Sequence, residues 1–142
     1  MNRVYVGLGS NINNPILQLH FAIVELMTLE KVQWIGVSSF YKSKPVGPQD
    51  QPDFINAVAV IETNLSPLDL LGHFQVIENN QGRVKTRHWG ERSIDLDILL
   101  YADLVVDTPD LTIPHPEMQN RAFVLTPLNE VRDLYENCNI PG

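Results

Sequence analysis

Ser93-Ile94-Asp95-Leu96-Asp97-Ile98-Leu99-Leu100-Tyr101 sets two aspartates into an apolar run. Ile94, Leu96, Ile98 and Leu100 alternate with them in the period of two that marks a strand with one buried face. The same alternation puts Asp95 and Asp97 on one face, roughly 7 Å apart along the strand. Two carboxylates so placed repel each other and lose hydration, a cost that a cation between them offsets. Immediately upstream, Gly82-Arg83-Val84-Lys85-Thr86-Arg87-His88-Trp89-Gly90-Glu91-Arg92 carries Arg83, Lys85, Arg87 and Arg92 on a stretch containing two glycines. Hard oxygen ligands beside a basic, glycine-containing loop read as a site for Mg²⁺ and a polyphosphate.

The rest of the chain bounds that reading. With 142 residues it is expected to form a single domain, 1–142, around one core. A net charge of −7 argues against nucleic acid as a partner, and the basic stretch stands out against that acidic background. The single cysteine, Cys138, excludes an internal disulfide framework and a cysteine-based zinc cluster. No stretch is long and apolar enough to span a membrane, and Met1-Asn2-Arg3-Val4-Tyr5-Val6 enters a strand pattern without a signal peptide. A cytoplasmic protein that does not engage membranes, working as a monomer, is the expectation.

Outward from the aspartate strand, the elements fall into a recognisable order. Arg3–Leu8 reads as a first strand. Asn14-Pro15 reads as a cap and first residue of a helix whose apolar face is Ile16, Leu19, Ile23 and Leu26/Met27. Val32–Tyr41 and Phe54–Glu62 read as strands, joined by a Pro/Gly loop too long for a tight hairpin. Ser66-Pro67 starts a second helix with Leu70, Leu71, Phe74 and Ile77 inward, and Gly82 is placed to end it. Ile94–Tyr101 closes the set, and Leu104–Leu128 reads as short strand-like and turn segments. The order β-α-β-β-α-β is the split βαβ of a ferredoxin-like fold, an α/β (α+β) architecture with an antiparallel sheet.

Taken singly, each candidate has an ordinary structural explanation. Two aspartates can sit on a hydrated edge strand, and a run of cations is usually a solvated loop. A lone histidine such as His115, between Pro114 and Pro116, is more often structural than catalytic, although the prolines would aim its ring. Trp89, Phe54 and Phe123 fit a core as readily as a stacking site. Against this, a polyphosphate needs several donors, and arginine offers a planar fork suited to phosphate oxygens. A flat heterocycle needs aromatic faces and an edge-reading group, for which the amide of Asn56 supplies both donor and acceptor.

The motifs Gly9-Ser10-Asn11, Ser38-Ser39-Phe40-Tyr41, Gly47-Pro48-Gln49-Asp50-Gln51-Pro52-Asp53-Phe54-Ile55-Asn56, His88-Trp89-Gly90-Glu91-Arg92-Ser93-Ile94-Asp95-Leu96-Asp97-Ile98-Leu99, Pro114-His115-Pro116 and Asn120-Arg121-Ala122-Phe123 follow one another along the chain. In this order they resemble the 6-hydroxymethyl-7,8-dihydropterin pyrophosphokinases, over nearly the whole length. The resemblance implies a ferredoxin-like, three-layer αβα fold and Mg²⁺-dependent transfer of the β,γ-pyrophosphate of ATP to the pterin hydroxymethyl group, giving its diphosphate and AMP in folate biosynthesis. It implies that Asp95 and Asp97 hold Mg²⁺, two ions being expected, and that Arg83 and Arg92 are the catalytic, phosphate-contacting arginines. Gln75, Glu78, Ile98, Thr112, His115 and Arg121 fall on ATP-contacting positions, together with Lys85 or Arg87, between which the sequence leaves the choice open. Ser43, Val46, Phe54, Asn56, Trp89 and Phe123 fall on the pterin positions, Phe54 standing where a tyrosine is common. No strong general base is evident, so positioning and charge neutralisation are expected to carry the chemistry.

Overall fold

The computed structural model describes residues 1–45, 47–82, 93–116, 118 and 121–136. Strand β1 (Asn2–Ser10) leads into helix α1 (Pro15–Thr28), then strands β2 (Val32–Val37), β3 (Tyr41–Ser43) and β4 (Phe54–Thr63). Helix α2 (Pro67–Asn80), strand β5 (Asp95–Tyr101), the short strands β6 (Val106–Asp107) and β7 (Thr112–Ile113), and helix α3 (Ala122–Tyr135) follow. The main sheet runs β2-β4-β1-β5 with β3 added beside β4, and every pairing is antiparallel. This is the strand order that the split βαβ reading predicts.

The sheet is covered on both faces. On one face Val4, Val6, Leu8, Ala57, Ala59, Ile61, Leu96 and Ile98 pack under Leu19, Ala22, Ile23 and Leu26 of α1 and Leu70, Phe74 and Ile77 of α2. On the other, Tyr5, Val58, Val60 and Leu99 pack under Leu128 and Val131 of α3 and Met118. Helix α2 begins as its sequence suggests: Ser66 caps it, its side chain accepting from Asp69 N–H. Gly82, two residues past its end, has φ of +80°, a conformation costly for residues with a Cβ.

Five expectations need correction. Strand Val32–Tyr41 is broken: Ser38–Phe40 leave the ladder, and Ser38 instead exchanges bonds with Val58, its N–H reaching Val58 O at 2.9 Å and its Oγ accepting from Val58 N–H at 2.9 Å. Asn14 does cap α1 by position but makes no side-chain cap bond, because it lies in the left-handed region with φ of 62°. Ile16, assigned inward, is exposed; of Leu26 and Met27 it is Leu26 that is buried, and Ala22 joins the inner face. Leu100 does not share the face of Leu96 and Ile98. The β1–β5 register shifts between Tyr5 and Val6, so one residue of β5 is extra, Leu99 and Leu100 both join the α3 side, and Tyr101 returns to the α1/α2 side. The tail, read as strand and turn segments, also contains helix α3, which supplies the third layer.

Candidate active site

Register builds the site. Gly9 lies opposite Asp95 on one side and Asn56 on the other; Gly7 lies opposite Asp97. Cross-strand partners share a face, so Asp95, Asp97, Gly7, Gly9, Asn56 and Phe54 occupy the same face, and Ser43 and Tyr41 of β3 continue it opposite Phe54 and Asn56. This is the face α3 covers over Tyr5, Val58 and Val60, toward the other end of the strands.

Glycine matters at position 9. A Cβ there would lie 3.2 Å from Asn56 Oδ1 and 3.9 Å from a ring carbon of Phe54. Its absence leaves a shallow trough between Asn56 and Asp95, two strand spacings or about 10 Å across. Asn56 Nδ2 donates to Ser43 Oγ at 2.7 Å, which turns the amide oxygen toward that trough. Asp97 is exposed and Asp95 half-buried, so neither carboxylate is deeply desolvated.

Of the nucleotide-side candidates, Glu78 and His115 bond to β5. Glu78 is buried, and its carboxylate accepts from Leu96 N–H at 2.9 Å. His115 N–H donates to Leu99 O at 3.0 Å, and Met118 N–H to His115 O at 3.1 Å, so the segment leading into α3 hangs from β5. Thr112 pairs with Asp107 in the small second sheet. Arg121 precedes α3 and sets its guanidinium 5.6 Å from the centre of the Phe123 ring, within cation–π range. Gln75 is exposed on α2. The Ile98 side chain is buried in the α1/α2 core, so any ligand contact at that position falls to its main chain. Val46, Arg83, Lys85, Arg87, Trp89 and Arg92 lie outside the described residues.

Two tethers carried little signal in the sequence. Asn11, buried at the end of β1, donates from Nδ2 to Gln51 Oε1 at 2.9 Å and to Pro52 O at 3.0 Å. Gln51 donates onward to Pro48 O at 2.9 Å, which folds the Pro/Gly loop onto the strand end beside Gly9. Glu130 of α3 accepts from Ser39 N–H at 2.7 Å, from Ser39 Oγ at 3.2 Å and from the Tyr41 hydroxyl. Gly-Ser-Asn and Ser-Ser-Phe-Tyr are visible as motifs, but neither names its distant partner.

A separate cleft of about 500 Å³ opens at the far end of the sheet, lined by Met1, Lys31, Asn64, Leu65, Ser66 and Asp69. None of the candidate residues lines it, and it offers no pair of carboxylates or aromatic platform.

The sequence profile of the 7,8-dihydro-6-hydroxymethylpterin-pyrophosphokinase family (HPPK) matches residues 5–133. The chain belongs to this family. The HPPK of Haemophilus influenzae is 56% identical over 131 residues, covering 92% of this chain and 82% of the relative. That of Pseudomonas aeruginosa is 49% identical over 141 residues, covering 99% and 85%. A solved HPPK-DHPS structure from Plasmodium falciparum superposes with a TM-score of 0.65 at 18% identity over 92% of this chain. This chain spans 40% of that protein, and the likeness establishes the shared fold. The match to the HPPK family covers every element from β1 to most of α3, including Asp95, Asp97 and Gly9.

Proposed function

We propose that this chain transfers the β,γ-pyrophosphoryl group of ATP to the hydroxymethyl group of 6-hydroxymethyl-7,8-dihydropterin, in folate biosynthesis, and does so at the open half of the sheet as one pyrophosphokinase domain. The observation that carries the reading is the register: Asn56 and Asp95 flank the same glycine, so the pterin-side candidates and the nucleotide-side candidates meet across Gly9. Phe54 offers a ring face, and the Asn56 amide with Ser43 offers the edge-reading group that a flat heterocycle requires. Phe123, Trp89 and Val46 complete the proposed pterin set. Glu78, His115, Thr112, Arg121, Gln75 and the main chain at Ile98 would serve ATP along β5, with Lys85 or Arg87.

Asp95 and Asp97 fit Mg²⁺. Among the described residues no group of three or more His, Cys, Asp or Glu side chains forms a closed metal cage. Mg²⁺ is usually held by one or two carboxylates together with substrate phosphates, and two carboxylates on one open strand face are that donor set. When bound, Mg²⁺ neutralises charge on the phosphate oxygens; two ions are the count proposed. The chain's own residues then orient. The pterin hydroxyl oxygen attacks the β-phosphorus, the bond from that phosphorus to the oxygen bridging to the α-phosphate breaks, AMP departs, and the hydroxyl proton passes to solvent. Arg83 and Arg92 are assigned to stabilise the charge of the migrating group. Action as a cytoplasmic monomer, apart from nucleic acid and membranes, belongs to the same reading.

The test is to incubate the protein with Mg²⁺, ATP and 6-hydroxymethyl-7,8-dihydropterin and to separate the nucleotides. AMP should appear in step with the pterin diphosphate. ADP with a pterin monophosphate would identify a simple phosphotransferase and overturn the reading.

A further inference from the structure

Strand β3 has only three residues and, among the described residues, pairs with β4 alone, yet it carries Ser43, the partner of the Asn56 amide. A ladder so short at a sheet edge holds its place weakly. The residues before it, Ser38–Phe40, are outside the ladder, so β3 is not propped by continuity with β2. Ser38 ties the start of this segment to Val58, and a carboxylate on another layer holds the stretch between Ser38 and β3. Glu130, half-buried on α3, accepts from the Ser39 main chain at 2.7 Å, from the Ser39 hydroxyl at 3.2 Å, and from the phenol of Tyr41. Tyr41 is the residue opposite Asn56. The helix is itself anchored independently at its far end, where Tyr5 donates to Glu136 at 2.6 Å and Arg3 to Tyr135 O at 3.0 Å.

We propose that Glu130 is a positioning residue for the pterin side of the site, holding β3 through Ser39 and Tyr41 so that Ser43 keeps the Asn56 amide turned toward the trough. The inference rests on the pterin assignment of Ser43 and Asn56 made above. Charge-assisted bonds of this kind are stronger than neutral ones, and burial of part of the acid is outweighed by its hydrogen bonds, which hold Glu130 below its ordinary ionisation range. Glu130 need not touch the substrate: removing it loosens the strand and leaves the aspartates of β5, two strands beyond β4, where they are.

Steady-state kinetics on Glu130→Ala, Glu130→Gln, Tyr41→Phe, Asn56→Ala and Tyr5→Phe, each with a melting temperature, test this. Glu130→Ala should raise KM for the pterin about tenfold while KM for ATP and kcat change less than about threefold. Glu130→Gln, which keeps one acceptor oxygen but not the charge, should recover part of the loss. Tyr41→Phe should raise pterin KM in the same direction, and adding it to Glu130→Ala should cost little more. Tyr5→Phe releases the other end of α3 and should lower the melting temperature without moving pterin KM. If Tyr5→Phe shifts pterin KM as much as Glu130→Ala at equal loss of melting temperature, Glu130 is merely structural and the proposal fails. It fails equally if Asn56→Ala weakens pterin binding but Glu130→Ala does not. If Asn56→Ala itself leaves pterin binding intact, the pterin assignment has failed, and this inference with it.

Discussion

The main-chain N–H of Leu96 donates to the buried carboxylate of Glu78 at 2.9 Å, so an acid on α2 holds the residue that separates Asp95 from Asp97. Strand β5 is at the edge of the sheet, where an N–H without a ladder partner needs another acceptor. Glu78→Ala strands that buried donor and should cost about 1–3 kcal/mol of stability. Glu78→Gln keeps an oxygen acceptor and should recover most of it. Urea unfolding of both variants measures the difference, and KM for ATP should rise with the alanine change. Equal stability for Ala and Gln would show that the bond to Leu96 contributes nothing.

Asp97 is exposed, so its truncation should be visible in chemistry and not in folding. Asp97→Ala is expected to lower kcat by about a hundredfold or more and to raise the Mg²⁺ concentration needed for half-activity, since a metal contact is worth several kcal/mol at the phosphates. Stability should stay within about 0.5 kcal/mol of wild type, as for other surface changes. Near-normal turnover in this variant would remove Asp97 from the metal site.

How much of this was legible in the sequence varies by element. The alternation in β5 gave the shared face of Asp95 and Asp97 correctly, because it depends only on local period. It misplaced Leu100, because the bulge arises from pairing with Tyr5 and Val6, which no local pattern reports. Helix α3 was missed although Val124, Leu128 and Val131 follow helical spacing. Pro127 inside it argues against a helix, and Arg121 at its start offers no capping side-chain bond. At the site, the motif residues Ser43, Phe54 and Asn56 do share a face. The clamp between Glu130 and Tyr41 joins residues 89 positions apart, and the tether from Asn11 to Gln51 spans 40. Both exist only once the layers have stacked.

Gly36 tests how closely α3 is seated. A Cβ at this position would fall 2.0 Å from the Tyr135 hydroxyl oxygen and 2.4 Å from the ring carbon that bears it. The Tyr135 side chain must move. Gly36→Ala should therefore destabilise the fold by about 1–3 kcal/mol, the usual cost of overpacking. Shortening the opposing side chain in a Gly36→Ala/Tyr135→Leu double variant should return part of the loss. Thermal melts of the single and double variants decide it; an additive, larger loss in the double would mean that contact with Tyr135 is not the cause.

The anchor between Tyr5 and Glu136 makes stability depend on pH at both extremes. Burial, then the hydrogen bond to Glu136 and its negative charge, push the Tyr5 phenol well above its ordinary 10.0. For Glu136, burial alone would raise the carboxyl, but bonds from Tyr5 and Arg132 and the charges of Arg132 and Arg3 outweigh it and hold the group below its ordinary 4.5. A depressed acid stabilises the fold above its unfolded value, and that contribution disappears as pH falls through the folded value. A raised phenol stabilises the fold below its unfolded value, and that contribution disappears as pH rises through the folded one. Melting temperature should thus be flat between about pH 5 and about pH 9.5 and decline on either side. Glu130 and Tyr41 act in the same two directions, since the bond to Glu130 raises the Tyr41 phenol. Tyr5→Phe deletes one raised phenol and one bond depressing Glu136. Its melting temperature should start lower at neutral pH and fall less steeply on both flanks than that of the wild type. Parallel curves for the two proteins across the alkaline flank would show that the phenol of Tyr5 does not titrate with folding.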